Sequence, residues 1–138
     1  MTKTEILEFL NANPICYLAT SENSRPHVRA LGMILADEKG LLFQTIEGKD
    51  LPKQLLKNPE VEVCFYNRET NIQVRVLGKA VLMDDLELKK AIIEKRPFLK
   101  PWVEKNGLDP IFVFRVMDCQ ALVWTMATNF APKEYIRI

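Results

Sequence analysis

Apolar and polar positions along the chain alternate in several short runs, and these are interrupted by two or three stretches of helical spacing. Thr2-x-x-Glu5 fits a capping box, opening a helix through about Asn11 whose apolar residues are Ile6, Leu7, Phe9 and Leu10. Asn13-Pro14 ends it, and ICYLAT follows as a first strand rich in β-formers. SENSRP reads as a turn, then a second strand is expected over about His27 to Ala36. Its alternation puts His27, Arg29, Leu31, Met33 and Leu35 on one face, so Arg29 heads an otherwise apolar row. DEKG closes a hairpin into LLFQT, and a polar turn containing Gly48 leads to a short helix with Pro52 in its first turn. Leu51 and Leu55 share one face of this helix and Lys53 and Lys57 another, until Asn58-Pro59 stops it. VEVCFY resumes the strand pattern. IQVRVLGKAVLM is one long strand in which Gly78 predicts a bulge or a close backbone approach. Asp84 or Asp85 caps the helix DDLELKKAIIEK, and Pro97 and Pro101 break the chain beyond it into a turn or short helix. IFVFRVMD and ALVWTM read as two strands joined by a tight turn near Asp118-Cys119, and the tail shows no clear pattern.

About seven strands joined mostly by short turns favour an antiparallel barrel over a parallel sheet. Several strands are apolar on both faces, which calls for helices packed outside or a second subunit covering one face.

At 138 residues the chain makes one domain, 1–138, with 48% hydrophobic and 27% charged residues in the globular range. A net charge of +1 gives no global field that favours nucleic acid or an anionic membrane, so any anion site must be local. Cys16, Cys64 and Cys119 are odd in number and form no metal-type pair, as expected of reduced thiols in the cytoplasm. No run approaches the ~18 apolar residues of a membrane span, and the first residues lack a cleavable apolar leader.

One stretch, Leu41 to Tyr66, brings Thr45, Lys49 and a helix N-terminus together. Backbone N–H groups, a hydroxyl and an ammonium at one place suit a phosphate. The plain alternative is a strand–helix–strand connection with a solvated lysine. Arg29 likewise reads either as an edge arginine reaching water or as a cation awaiting an anion. His27, beside a turn and without a triad or metal partner, reads as a surface residue.

The run RPHVRALGMILADEKGLLFQTIEGKDLPKQLLKNPEVEVCFYN, followed by IQVRVLGKAVL, resembles the pyridoxamine 5′-phosphate oxidase-like flavin-binding proteins, especially their short members. The likeness covers roughly Ile15 to Leu82, and LELKKAIIEKRPFLK also fits the short members. The resemblance implies a split β-barrel of antiparallel strands, a homodimer, and one FMN in each of two clefts between subunits. It matches Arg29 to an arginine facing the flavin phosphate, with backbone near Ala30 and Leu31 bordering the isoalloxazine ring. It places Gln44 and Thr45 at the strand end that reaches the cofactor by backbone and hydroxyl, and matches Gln73 to a glutamine that approaches the flavin. Arg29 and Lys49 would then grip one phosphate dianion.

The chain departs from the oxidases in two places. Lys49-Asp50-Leu51 stands where many of them carry Ser-Arg-Lys, and the tail after ALVWTM is unrelated to their substrate-binding segment with its arginine and histidine. No residue stands out as an acid or base. The expected function is an FMN-dependent oxidoreductase with an unassigned small-molecule substrate and electron donor. The alternatives are a flavin- or haem-binding barrel without turnover, and a dimeric interaction domain that has lost its cofactor.

Overall fold

A computed structural model describes all residues, 1–138. Four helices flank one eight-stranded sheet, in the order α1 (Lys3–Ala12), β1 (Ile15–Glu22), β2 (Arg25–Gly32), β3 (Leu35–Asp37), β4 (Gly40–Ile46), α2 (Asp50–Lys57), β5 (Glu60–Asn67), β6 (Ile72–Leu82), α3 (Leu86–Lys95), α4 (Lys100–Asn106), β7 (Ile111–Trp124) and β8 (Ile136–Arg137). Every strand pairing is antiparallel, and the strand path is β2-β1-β5-β6-β7-β4-β3, with β8 on the side of β7.

The expected helix starts are present. Thr2 and Glu5 form the reciprocal capping box, and the Asp85 side chain caps α3 by accepting from the Leu88 N–H. Pro97 and Pro101 do interrupt the helix, giving a single 3₁₀ turn and then the short α4.

Two strand boundaries differ from the sequence reading. The strand expected over His27–Ala36 is two strands, because the chain changes partners at Met33-Ile34. β2 pairs with β1, whereas β3 pairs with β4, and the Ile34 N–H already donates to the Leu42 carbonyl at 2.9 Å. The two strands expected near the C-terminus are one, the 14-residue β7. Asp118 takes φ 54°, but the turn is absorbed as a bulge where the register to β6 shifts between Leu77 and Lys79. Gly78 sits in that shift, as its place in the strand suggested. The tail supplies a 3₁₀ turn over Met126–Thr128 and the short β8, which the pattern did not show.

The inner face of the sheet, with α1 and α2, encloses a core of 20 buried residues that includes Phe43, Phe65 and Phe114. Phe43 and Phe114 are cross-strand partners, with rings stacked 5.2 Å apart. A smaller cluster around Leu42, Ile111 and Val113 packs on the other side of β4 and β7 against Ile92, Ile93 and Leu99. The outward face of β2, β1, β5 and β6 has no such cover. Ile15, Tyr17 and Val28 on it are 63%, 50% and 69% exposed, and Tyr66 and Leu77 extend the patch. No helix is long and apolar enough to cross a membrane.

Candidate functional site

β2 lies at one end of the strand path, so one of its edges is open. The Met33 N–H donates to the Pro14 carbonyl, which fixes the alternation of the β1–β2 ladder. In an antiparallel pair the bonded residues alternate. Arg29 and Leu31 therefore turn their backbone groups toward β1, and Val28, Ala30 and Gly32 turn theirs to the open edge. Pro26 falls on that same edge, where its missing N–H is not needed.

A cleft of about 460 Å³ opens beside this edge, lined by β2, the end of β4 and the start of α2. That is within the usual size of a small-ligand site. Gly48 makes the approach to α2 with φ 93°, a conformation few other residues adopt. Lys49 follows as the N-cap of α2. It supplies no side-chain cap, so the first N–H groups of the helix keep their donor capacity, and its own side chain has no carboxylate partner.

Arg29 comes from the floor of the cleft. One terminal nitrogen donates to the Leu18 carbonyl at 3.3 Å and the Thr20 hydroxyl at 2.9 Å, and the other donates to Gln54 Oε1 at 2.5 Å. Burial lowers its pKa, and Asp50 opposes that shift. Asp50 lines the cleft but forms no ion pair with Arg29. The guanidinium is thus held entirely by uncharged oxygens, and its charge is left without a bonded counterion.

Five of the seven residues singled out by sequence meet here: Arg29, Ala30, Leu31, Thr45 and Lys49 all line the cleft. Gln44 and Gln73 do not. Gln44 alternates with Thr45, so its side chain lies on the face of Leu42 and Ile46, where Oε1 is buried without a hydrogen-bond partner. Its backbone alone lies beside Thr45. Gln73 lies on the outward face of β6, paired with Tyr66 and Trp124. Three strand spacings, roughly 14 Å, separate β6 from β2. Trp124 and the neighbouring Arg75 instead border a second cleft, of about 490 Å³, roofed by Asn129, Pro132 and Lys133 of the tail.

Three further residues border or support the cleft beyond those matched to it by sequence. His27, read as a surface residue, is half-buried and lines the cleft. Gln54 and Thr20 are buried and hold Arg29. A signal for Gln54 exists, since it falls between Leu51 and Leu55 on the apolar face of α2, where a polar residue is out of place. Arg96, at the C-terminal end of α3, donates to the Gly32 carbonyl at 2.7 Å and caps the open edge of β2 just beyond the cleft.

The fold is that of a mainly antiparallel β-sheet protein with four helices, in which an open-edged strand borders a cleft. The family model for pyridoxamine 5′-phosphate oxidase matches residues 2–116, and the chain belongs to that family. A pyridoxine/pyridoxamine 5′-phosphate oxidase of Serratia proteamaculans is 33% identical over 95 residues, which cover 67% of this chain and 44% of the relative. A dihydrophenazinedicarboxylate synthase of Pseudomonas chlororaphis is 34% identical over 82 residues, 59% of this chain and 36% of that one. The chain thus spans less than half the length of these relatives. Among solved structures, a NimC/NimA family protein of Clostridium acetobutylicum superposes with a TM-score of 0.79 at 25% identity, covering 98% of this chain and 92% of the other. PhzG of Burkholderia lata, in complex with tetrahydrophenazine-1-carboxylic acid, gives 0.67 at 15% identity over 98% and 90%, a likeness of fold.

Proposed function

We propose that this chain is an FMN-binding split-barrel protein that works as a homodimer and as a flavin-dependent oxidoreductase. The observation that carries the reading is the Arg29 guanidinium, fixed by three neutral acceptors and facing the cleft with its charge unspent. Lys49, the Thr45 hydroxyl and the free N–H groups at the start of α2 stand around the same space, and a phosphate there would meet two cations and several donors. The open backbone edge at Val28 and Ala30 offers donors and acceptors to the polar rim of a flat ring. These residues fit FMN.

FMN, when bound, would supply the redox chemistry. The residues of this chain bind, orient and shield it. Gln73 cannot reach the Arg29 cleft within one chain, so a role for it requires a second copy. The uncovered outward face of β1, β2, β5 and β6, on which Gln73 lies, is the surface such a copy would bury. The oxidase name of one relative supports an oxidoreductase, and the different product named for the other leaves the substrate open.

The test is an absorption spectrum of the purified protein followed by titration with FMN and anaerobic reduction with NADH or NADPH. Flavin bands, or tight uptake of added FMN, are the expected result. A Soret band would make this a haem-binding barrel, and a colourless protein that refuses FMN would remove the flavin reading. Uptake without reduction by any donor would leave a flavin holder rather than an enzyme.

A further inference from the structure

Arg29 sits in a cage that contains no charge. Its two terminal nitrogens reach Leu18 O, Thr20 Oγ1 and Gln54 Oε1, and the Thr20 hydroxyl donates to that same amide oxygen at 2.6 Å. Arginine has only donors, so the amide must turn its oxygen, not its nitrogen, toward the guanidinium. Thr20 and Gln54 are 4% and 3% exposed, which makes the cage part of the interior rather than a surface accident. A carboxylate is the ordinary companion of a cation drawn away from water. Here the nearby acids are held off the guanidinium itself: Glu22 pairs with Lys57 at 3.2 Å and meets the Gln54 side chain rather than Arg29, and Asp50 stays outside ion-pair distance of Arg29. Glutamate at position 54 would have nearly the same shape and could accept the same bonds. What the amide does differently is leave the positive charge uncancelled.

Resting on the FMN reading, we propose that Gln54 is the residue that makes this cleft select a phosphorylated flavin. It positions Arg29 through a neutral oxygen and so reserves the charge of the guanidinium for a dianion brought by the ligand. Gln54 also belongs to α2, five residues after Lys49. One buried amide therefore sets the arginine of β2 against the helix whose N-cap is the lysine, and ties the two cations to one element. A ligand without a phosphate gains nothing from this arrangement.

The experiment compares the full-length wild type with Gln54→Glu and Gln54→Met, titrating each with FMN and with riboflavin by fluorescence quenching and unfolding each in urea. Gln54→Glu is expected to weaken FMN by roughly tenfold or more, the size of a lost charge-assisted contact, while riboflavin changes by less than about twofold. Gln54→Met removes the acceptor without adding charge and should weaken FMN by less than Gln54→Glu. The FMN-to-riboflavin preference is the readout that a purely structural role would not move. If Gln54→Glu fails to fold, Gln54→Met decides, and an unchanged preference in it overturns the proposal. A wild type that prefers FMN beside a folded Gln54→Glu variant with the same preference overturns the role of Gln54 alone. A wild type that binds FMN no better than riboflavin overturns the phosphate site, and this proposal falls with it.

Discussion

Gly78 on β6 lies so close to Val116 on β7 that a Cβ added to it would fall 2.5 Å from the valine Cγ1 and 2.8 Å from the Met117 carbonyl oxygen. The bulge at Asp118 is what brings the backbone of β7 in at this point. Gly78→Ala must push a backbone carbonyl aside, and overpacking of this kind costs about 1–3 kcal/mol. The urea midpoint should fall accordingly, with the slope unchanged. A variant as stable as wild type would show that the bulge is freely deformable.

Lys49→Ala removes one of the two cations of the proposed phosphate site. Loss of a charge-assisted contact is worth about 1.5–3 kcal/mol, or roughly ten- to hundredfold in FMN affinity. Riboflavin should bind the variant as it binds wild type, and salt should weaken FMN less in the variant. Equal losses for both flavins would move Lys49 from the phosphate to the ring or the fold.

Arg29 was legible in the sequence because a charge in an apolar strand row demands an explanation, and Thr45 and Lys49 because a strand end, a glycine turn and a helix start succeed one another locally. Gln54 stood out only as a polar residue on the apolar face of α2, and its role did not show, since its partners Arg29 and Thr20 lie 25 and 34 residues away and only the packed fold joins them. Asp118-Cys119 misled for a related reason. A left-handed residue suits a reversal and a bulge equally well, and the choice is made by Gly78, forty residues earlier in the chain. Gln44 and Thr45 are neighbours in sequence, but alternation sends their side chains to opposite faces.

The thiols give a pH-dependent signature. Burial pushes Cys16 up to about 12 and Cys119 up to about 11, and both side chains stay protonated in the folded chain well above the ordinary thiol value near 9. The folded state then binds more protons than the unfolded one, so stability falls as pH rises. The contribution is whole below pH 9 and lost progressively toward 11 to 12. Wild type should lose stability over that window more steeply than a Cys16→Ala, Cys119→Ala variant. Parallel curves would refute the assignment. In the native protein at pH 8, neither thiol should react quickly with a disulfide reagent, and no internal disulfide should form.

Tyr17 stands half exposed near the middle of the uncovered sheet face. Light scattering of wild type should give about twice the 15.9 kDa chain mass at micromolar concentration. Tyr17→Glu should shift the protein toward the single-chain mass and weaken FMN with it, since the proposed site draws on both copies. A monomer that keeps full FMN affinity would sink the shared site.

The open edge of β2 has a further consequence for how this chain behaves in a crowded solution. A row of unpaired backbone groups is an adhesive surface for any other extended strand. Pro26 disarms its outer part and Arg96 occupies the carbonyl of Gly32, which leaves a gap at Val28 and Ala30 that no residue of the chain guards. Whatever fills that gap also acts as a stopper. On the proposed flavin reading, chains made faster than flavin is supplied should form sheet-like aggregates, and added FMN should suppress that precipitation.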